Sequence, residues 1–392
     1  MIFIYRVVFL LLTFTSCSRF HYHDKSFIEI NFKNRNCTNS FDLENGIKPI
    51  IVFSRELNKR CKITEQNHMF DYSNKKSING ELKFDRNKYF VISSFMIHEN
   101  DKYEGTVSNY VFAFFNKNYW NKTNFKVLDT EFNLVKKKNS KIGSNHWKDS
   151  ISKIWKYYYE KFGSGPKTVS FVELDWAPIS GGPLGENVLA IFKQDQINEK
   201  HQEDLASDLG WSKQSSTLEY VKENYSEHVN PWEDYLLGTY AHELAHLYFG
   251  FGLTAQNVKN SHELWFSLGM GMLYDIEITK ALTKNSPSLF LDSAKIWNKY
   301  SKNNQIDQSL VKPDISNDKK FKLNRKKVYA HSKAHAFLKA LRKAVGEKVF
   351  DLAIRKYIRT CDNCYNGYED FKKFLSNKNI IKKIEREYNV YY

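Results

Sequence analysis

Ala241-His242-Glu243-Leu244-Ala245-His246-Leu247-Tyr248-Phe249-Gly250 is an apolar run interrupted by three polar residues, His242, Glu243 and His246. The residues before it, Tyr235 to Ala241, are apolar and helix-compatible. Pro231-Trp232 can open a helix, with Glu233 and Asp234 favourable in its first turn. The spacing therefore predicts one helix from Pro231 to Gly250. On it, His242 and His246 stand four residues apart and share a face. At that separation both imidazoles can point at one metal ion, which takes nitrogen ligands at about 2.0–2.1 Å. Glu243, next to the first histidine, can reach a metal-activated water and take its proton. The plainer alternative is two buried, hydrogen-bonded histidines on a structural helix, and the pattern by itself leaves both open.

Downstream of this helix the chain reads as almost entirely helical. Leu264 to Thr279 predicts a second helix, and further helices are expected near 287–302, 330–344, 347–358 and 366–390. Upstream, Trp147 to Phe162 has apolar residues at helical spacing and ends at Gly163-Ser164-Gly165-Pro166. Thr168 to Leu174 and Val188 to Phe192 read as strands. From about residue 25 to 140 the pattern is strand-like, with short β-branched and aromatic runs at 48–53, 89–95 and 110–115. The polar stretch Lys136 to Asn145 makes a linker. The expected fold class is α+β: a β-rich N-terminal domain over 18–140, a mixed α/β domain over 141–285 that carries the His-Glu-His helix, and a helical C-terminal region over 286–392.

The 42% hydrophobic and 16% aromatic content argues against disorder. A net charge of +15 raises the question of nucleic acid. In a nucleic-acid binder that charge would concentrate in a stripe or tail. Here lysine is spread along the chain, and clusters such as Lys136-Lys137-Lys138 and Arg325-Lys326-Lys327 have no nucleic-acid motif around them. No nucleic-acid partner is expected; the charge suits an anionic membrane or cell-wall neighbourhood.

Residues 1–17 read as a lipoprotein-type signal peptide. Arg6 supplies a positive charge, Val7 to Phe14 an apolar stretch too short to span a bilayer, and Thr15-Ser16-Cys17 small residues ending in a cysteine. This resembles the lipobox of bacterial lipoproteins, with Phe14 in place of the usual aliphatic residue, and it implies lipidation at Cys17. The expectation is an exported protein anchored at the bacterial cell envelope. With Cys17 set aside, four of the five cysteines remain. Cys37 and Cys61 lie near each other in sequence, as do Cys361 and Cys364, and two structural disulfides would account for all four.

The His-Glu-His segment, with Leu253-Thr254 after it, resembles the active-site helix of the aminopeptidase N-type gluzincins, a family of zinc metallopeptidases. The resemblance extends over roughly 145–360 and implies a thermolysin-like catalytic domain, one zinc ion and a peptide substrate. It implies His242 and His246 as zinc ligands and Glu243 as general base. The family's glutamate ligand lies on the next helix, and the matching segment is Leu264-Trp265-Phe266-Ser267-Leu268-Gly269-Met270. His331-Ser332-Lys333-Ala334 is similar to the family's oxyanion segment, which implies His331 in the place of a tyrosine, with Tyr329 as a nearby substitute. Ser180-Gly181-Gly182-Pro183-Leu184-Gly185-Glu186-Asn187 is similar to the loop that holds a substrate's amino terminus, which implies Glu186 as its anchor.

Leu268 stands where the glutamate ligand would be, and leucine cannot ligate zinc. Glu263 is the nearest carboxylate, Asp275 and Glu277 are further candidates, and a site with no third protein ligand is the remaining alternative. Two functions follow. One is a zinc metallopeptidase of aminopeptidase type at the cell envelope. The other is a catalytically impaired scaffold that binds a peptide or an envelope partner.

Overall fold

A computed structural model describes residues 27–33, 37–42, 48–53, 76–107, 110–140, 144–174, 181–185, 187–192, 231–249, 264–282, 310, 332–360 and 367–390. The first part is all β: β1 (Phe27–Phe32), β2 (Cys37–Asp42), β3 (Ile50–Phe53), β4 (Lys76–Lys83), β5 (Tyr89–Ser93), β6 (Met96–Ile97), β7 (Lys102–Val107), β8 (Val111–Asn116), β9 (Trp120–Val127) and β10 (Thr130–Lys137). Among the described residues three sheets form. One has the order β2-β1-β4-β7-β6 and a second the order β3-β8-β5. The third joins β9 and β10 to β11 (Thr168–Leu174), β12 (Gly181–Gly185) and β13 (Val188–Phe192) in the order β12-β13-β11-β10-β9.

β8 shows how these sheets stack. Its side chains alternate between two faces, and both faces are buried, so it reads as a continuous apolar run. Phe112 and Phe114 pack with Ile30, Phe32 and Tyr103 of the first sheet. Val111, Ala113 and Phe115 pack with Val135, Val172 and Val188 on the back of the third. The third sheet thus runs across residue 140, where a domain boundary was expected. β9 and β10 precede that point, and β10 pairs in parallel with β11 after it. The polar stretch at 136–145 is only the connection into α1 (Ser144–Phe162).

The other face of the third sheet meets the helices. Phe132, Leu134, Val169 and Phe171 share one core with α1, with α2 (Pro231–His246) and with α3 (Leu264–Leu282). That core continues into α4 (Ala334–Val345), α5 (Glu347–Thr360), α6 (Gly367–Lys372) and α7 (Lys378–Glu387). The C-terminal helices therefore share the core of the His-Glu-His helix. Where α3 crosses α4, a Cβ on Gly269 would lie 2.8 Å from the Cβ of Ala334, so the small residue sets the approach. Gly346, at φ 91°, ends α4 and lets the chain turn into α5.

Two expected helices end differently. α2 stops at His246 and is followed by turns through Phe249, rather than running to Gly250. The helix expected over 366–390 is two, because Asn377 accepts a hydrogen bond from Ile380 N at 3.1 Å and starts α7 afresh. The helix expected near 287–302 lies outside the described residues. Among those described, no helix is long and apolar enough to cross a membrane.

Four helices are tied by one charged cluster. Arg342 of α4 grips Asp351 of α5 with two hydrogen bonds, of 3.0 and 2.9 Å, and reaches Glu277 of α3 at 2.5 Å. Lys161 of α1 pairs with both acids, at 3.0 and 3.1 Å, and the Tyr274 hydroxyl donates to Asp351 at 2.9 Å. The side chain of Arg342 is 10% exposed. Arg342→Met would leave two partly covered carboxylates with Lys161 as their one cation among the described residues, and the cost falls between the surface and buried limits, at about 1–3 kcal/mol. Urea denaturation of the full chain checks this; a loss below about 1 kcal/mol would mean that the cluster behaves as a solvated face.

Candidate metal centre

The position of α2 is set before its histidines come into play. The Tyr158 hydroxyl of α1 donates to the carbonyl of Ala241 at 2.8 Å, and the Tyr248 hydroxyl donates to Gly163 O at 3.1 Å. Ser267 of α3 donates to Phe249 O at 2.6 Å and pins the start of α3 to the exit of α2. Aromatic contacts fill the space between, with Phe162 against Tyr248, Phe249 and Tyr274. Over residues 240–249 and 265–276 nearly every residue of the pair is buried, so polar groups at its contact depend on one another for hydrogen bonds.

At that contact the two imidazoles converge. The Nε2 atoms of His242 and His246 are 3.0 Å apart, and the rings stand at 84° to each other. Nδ1 of His242 lies 2.7 Å from Asp275 Oδ2 of α3, and Nδ1 of His246 lies 3.4 Å from Phe249 O. A carboxylate and a carbonyl accept hydrogen bonds, so the network assigns the ring hydrogen to Nδ1 in both residues. Both Nε2 atoms then present lone pairs to the same space. Two lone pairs so close repel unless a cation, a proton or a metal ion, lies on them.

Charge around the pair is acidic. Glu243 and Asp275 are buried, at 6% and 0% exposure. Glu243 Oε2 and Asp275 Oδ1 have no hydrogen-bond partner among the described residues. Burial pushes the Glu243 carboxyl up to about 7; the Asp275 charge adds to the rise and the His242 charge opposes it. Burial also pushes Asp275 up to about 6, against the hydrogen bond and charge of His242. Burial pulls His242 down, but its hydrogen bond to Asp275 and the charges of Asp275 and Glu243 outweigh that and leave it above the usual histidine range. Each raised value means that the folded state holds the proton more tightly than the unfolded one.

The donor set fits a metal ion in part. Two imidazoles whose Nε2 atoms converge, one held by a carboxylate at its Nδ1, match the usual arrangement of zinc-binding histidines. Their 3.0 Å separation is within the span of two nitrogens each about 2.0–2.1 Å from one ion. Gly271 of α3 makes room, since a Cβ there would lie 3.3 Å from His242 Cε1 and 3.7 Å from His246 Cε1. A third protein ligand is another matter: among the described residues no three His, Cys, Asp or Glu side chains group around one ion. Asp275 meets the Nδ1 edge of His242, so it orients that ring instead of ligating. Glu277 is engaged by Arg342 and Lys161. The orienting role of Asp275 was not foreseen. Its spacing of seven from Leu268 was the available signal, because it returns the carboxylate to the face of α3 turned toward α2.

Glu263, Tyr329, His331, Glu186, Cys17, Cys61, Cys361 and Cys364 lie outside the described residues. Cys37 is disulfide-bonded, and its partner lies outside them as well. β12, which carries most of the glycine-rich segment before Glu186, is the edge strand of the third sheet and packs against α2.

Comparison with known proteins agrees with this helix pair. Residues 218–389 match the peptidase family M1 domain, so this part of the chain bears out the expected resemblance to the aminopeptidase N-type zinc metallopeptidases. The match takes in α2, α3 and all four C-terminal helices. Among solved structures, the chain is similar to the M1 zinc metallopeptidase from Deinococcus radiodurans, with 11% identity and a TM-score of 0.46, covering 78% of this chain and 61% of that one. It is similar to a mutant of that enzyme bound to a Tyr-Ser-Ala substrate, with 10% identity and a TM-score of 0.45, covering 78% and 62%. The chain thus spans about three fifths of the length of these neighbours. No curated protein matches its sequence.

The raised carboxyl values give a stability prediction for the metal-free protein. A raised folded-state pKa contributes stability that is present below the ordinary pKa and lost as pH rises through the raised one. Glu243, Asp275 and His242 all carry this sign. The melting temperature in chelator should fall from about pH 4.5 to about pH 7, and fall less in Glu243→Gln. Parallel profiles for the two proteins would show that Glu243 ionises in place without cost.

Proposed function

We propose that the protein is a zinc metallopeptidase of aminopeptidase type that hydrolyses peptides at the cell envelope. The observation that carries this is the buried Glu243 carboxylate, one oxygen unpartnered among the described residues, beside two imidazoles whose Nε2 atoms converge at 3.0 Å. The M1 domain match over 218–389 supports the same reading.

His242 and His246 would hold the ion through Nε2. When bound, zinc supplies Lewis-acid chemistry, polarising the scissile carbonyl and acidifying water. Glu243 removes a proton from the attacking water at its carboxylate oxygen and returns it to the leaving amine. Asp275 keeps the His242 hydrogen on Nδ1 and so keeps the Nε2 lone pair directed into the site. By resemblance, His331 or Tyr329 would stabilise the oxyanion and Glu186 would anchor the free amine of the substrate. Leu268, in the place of a carboxylate ligand, favours the second reading, a catalytically impaired scaffold that binds a peptide.

Metal analysis and peptide hydrolysis separate the two. Glu243→Gln should retain its zinc and lose roughly 10²–10⁴-fold in hydrolysis, the range expected for removing a general base. His246→Ala should lose both metal and activity. A protein that binds zinc and shows no hydrolysis of any free-amine peptide would support the scaffold instead.

Export and anchoring form part of the proposal. The segment 1–17 would direct export, Cys17 would carry the lipid, and Cys37 with Cys61 and Cys361 with Cys364 would form disulfides in that oxidising compartment. In membrane fractionation the wild type should sediment with membranes and Cys17→Ser should not. Equal partitioning of the two would remove the anchor.

A further inference from the structure

The outward face of α5 combines exposed apolar side chains with uncompensated positive charge. Its inward face, with Phe350, Ala353, Ile354 and Tyr357, is buried in the helical core. Arg355 donates from Nε to Lys161 O at 3.0 Å and from Nη2 to Glu160 O, so it caps the end of α1 and fixes the rotation of α5. At about 100° per residue, Lys348, Arg359, Leu352, Lys356 and Val349 then fall in one sector about 100° wide. All five are exposed, Leu352 at 57% and Val349 at 44%. Large apolar side chains are exposed at five places among the described residues, and of these only Val349 and Leu352 lie one helical turn apart. No acid shares the sector. Glu347 falls about 100° beyond its edge, and Asp351 is turned into the cluster with Arg342 and Lys161. Lys348, Lys356 and Arg359 take part in no ion pair among the described residues.

We propose that this face is a docking surface for an anionic lipid bilayer. The argument is one of charge and shape. The side of a helix is convex, and an apolar pair among basic side chains is the pattern of interfacial helices. Their apolar residues enter the acyl boundary while Lys and Arg meet the headgroups. Each basic residue close to an anionic membrane strengthens binding about fivefold, so three give on the order of 100-fold. Nucleic acid matches less well, because apolar side chains at the centre of the face contribute nothing to phosphate contacts. α5 shares the core that carries α2, so a docked α5 sets which way the His242–His246 pair faces relative to the membrane. The proposal is independent of the peptidase reading. It is also separate from a lipid at Cys17, which would tether the chain without orienting it.

The test is sedimentation of the full chain with vesicles of phosphatidylcholine alone and with vesicles in which phosphatidylglycerol is an added anionic component. The neutral vesicles report whatever residues 1–17 contribute by insertion, and the excess on anionic vesicles reports the face. Wild type should bind the anionic vesicles on the order of 100-fold more tightly at low salt, and the excess should shrink as salt rises. Lys348→Glu with Lys356→Glu should lose at least ~25-fold of that binding. Leu352→Ala should lose ~3–10-fold, a loss that a purely electrostatic contact would not show. Lys382→Glu with Lys383→Glu on the exposed side of α7 makes the same change in net charge. That control should stay within about threefold of wild type, since charge attraction fades within a Debye length of the surface. All these positions are exposed, and unchanged melting temperatures check that each variant folds. Wild-type binding in the Lys348 and Lys356 variant, or an equal loss in the α7 control, would overturn the proposal. Binding to heparin or duplex DNA with no excess on anionic vesicles would overturn the lipid assignment and give the face to a soluble polyanion.

Discussion

The contact between His242 and Asp275 joins the two helices on which the site is built. It places a buried carboxylate of α3 behind a ring of α2, which chooses the ring tautomer and leaves the Nε2 lone pair facing His246. It also gives the buried Asp275 carboxylate a polar partner for one of its two oxygens. The surrounding packing allows the contact. Gly271 brings the α3 backbone up against both imidazoles, and Gly269 does the same toward α4. Ser267 fixes the register of α3 against the end of α2.

The rest of the molecule holds that helix pair still. The third sheet supplies a floor through Phe132, Leu134, Val169 and Phe171, and α1 braces α2 through Tyr158. On the far side, Arg342, Asp351, Glu277 and Lys161 tie α3 to the C-terminal helices and to α1. β8 couples the N-terminal sheets to this assembly by burying alternate side chains in two different cores. Charge placement follows the same economy of space: acids with cationic partners sit in the interhelical cluster, while the two acids with protonation raised by burial sit at the imidazole pair.

The comparison of expectation with structure turns on a few residues. Apolar spacing was sufficient to locate α1, α4 and α5 within a few residues, because each buries a helical stripe, and longer apolar runs located α2 and α3, whose described residues are buried on nearly all sides. It failed at Asn377, where a local side-chain cap outweighs a helical pattern that otherwise continues. It failed again at residue 140, since a polar turn between a strand and a helix has the same composition as a linker between domains. Only the parallel pairing of β10 with β11 distinguishes them. The carboxylates show the same limit. Asp275 and Glu277 are two residues apart on one helix, yet one orients an imidazole and the other joins an ion cluster.

What the sequence determined by itself is local. A histidine four residues after another on a helix shares its face, and a glutamate beside the first stands near the same space, whatever surrounds them. The leucine at 268 and the glycine at 271 are likewise legible as the absence of a ligand and the absence of a side chain. The tertiary structure decided everything that depends on a second element: the tautomer of His242, the burial that lifts the Glu243 carboxyl, and the side of the ring that α3 approaches. These are properties of contacts between residues some thirty positions apart. Helical periodicity carries information along one element and none about the distance or direction of its neighbour.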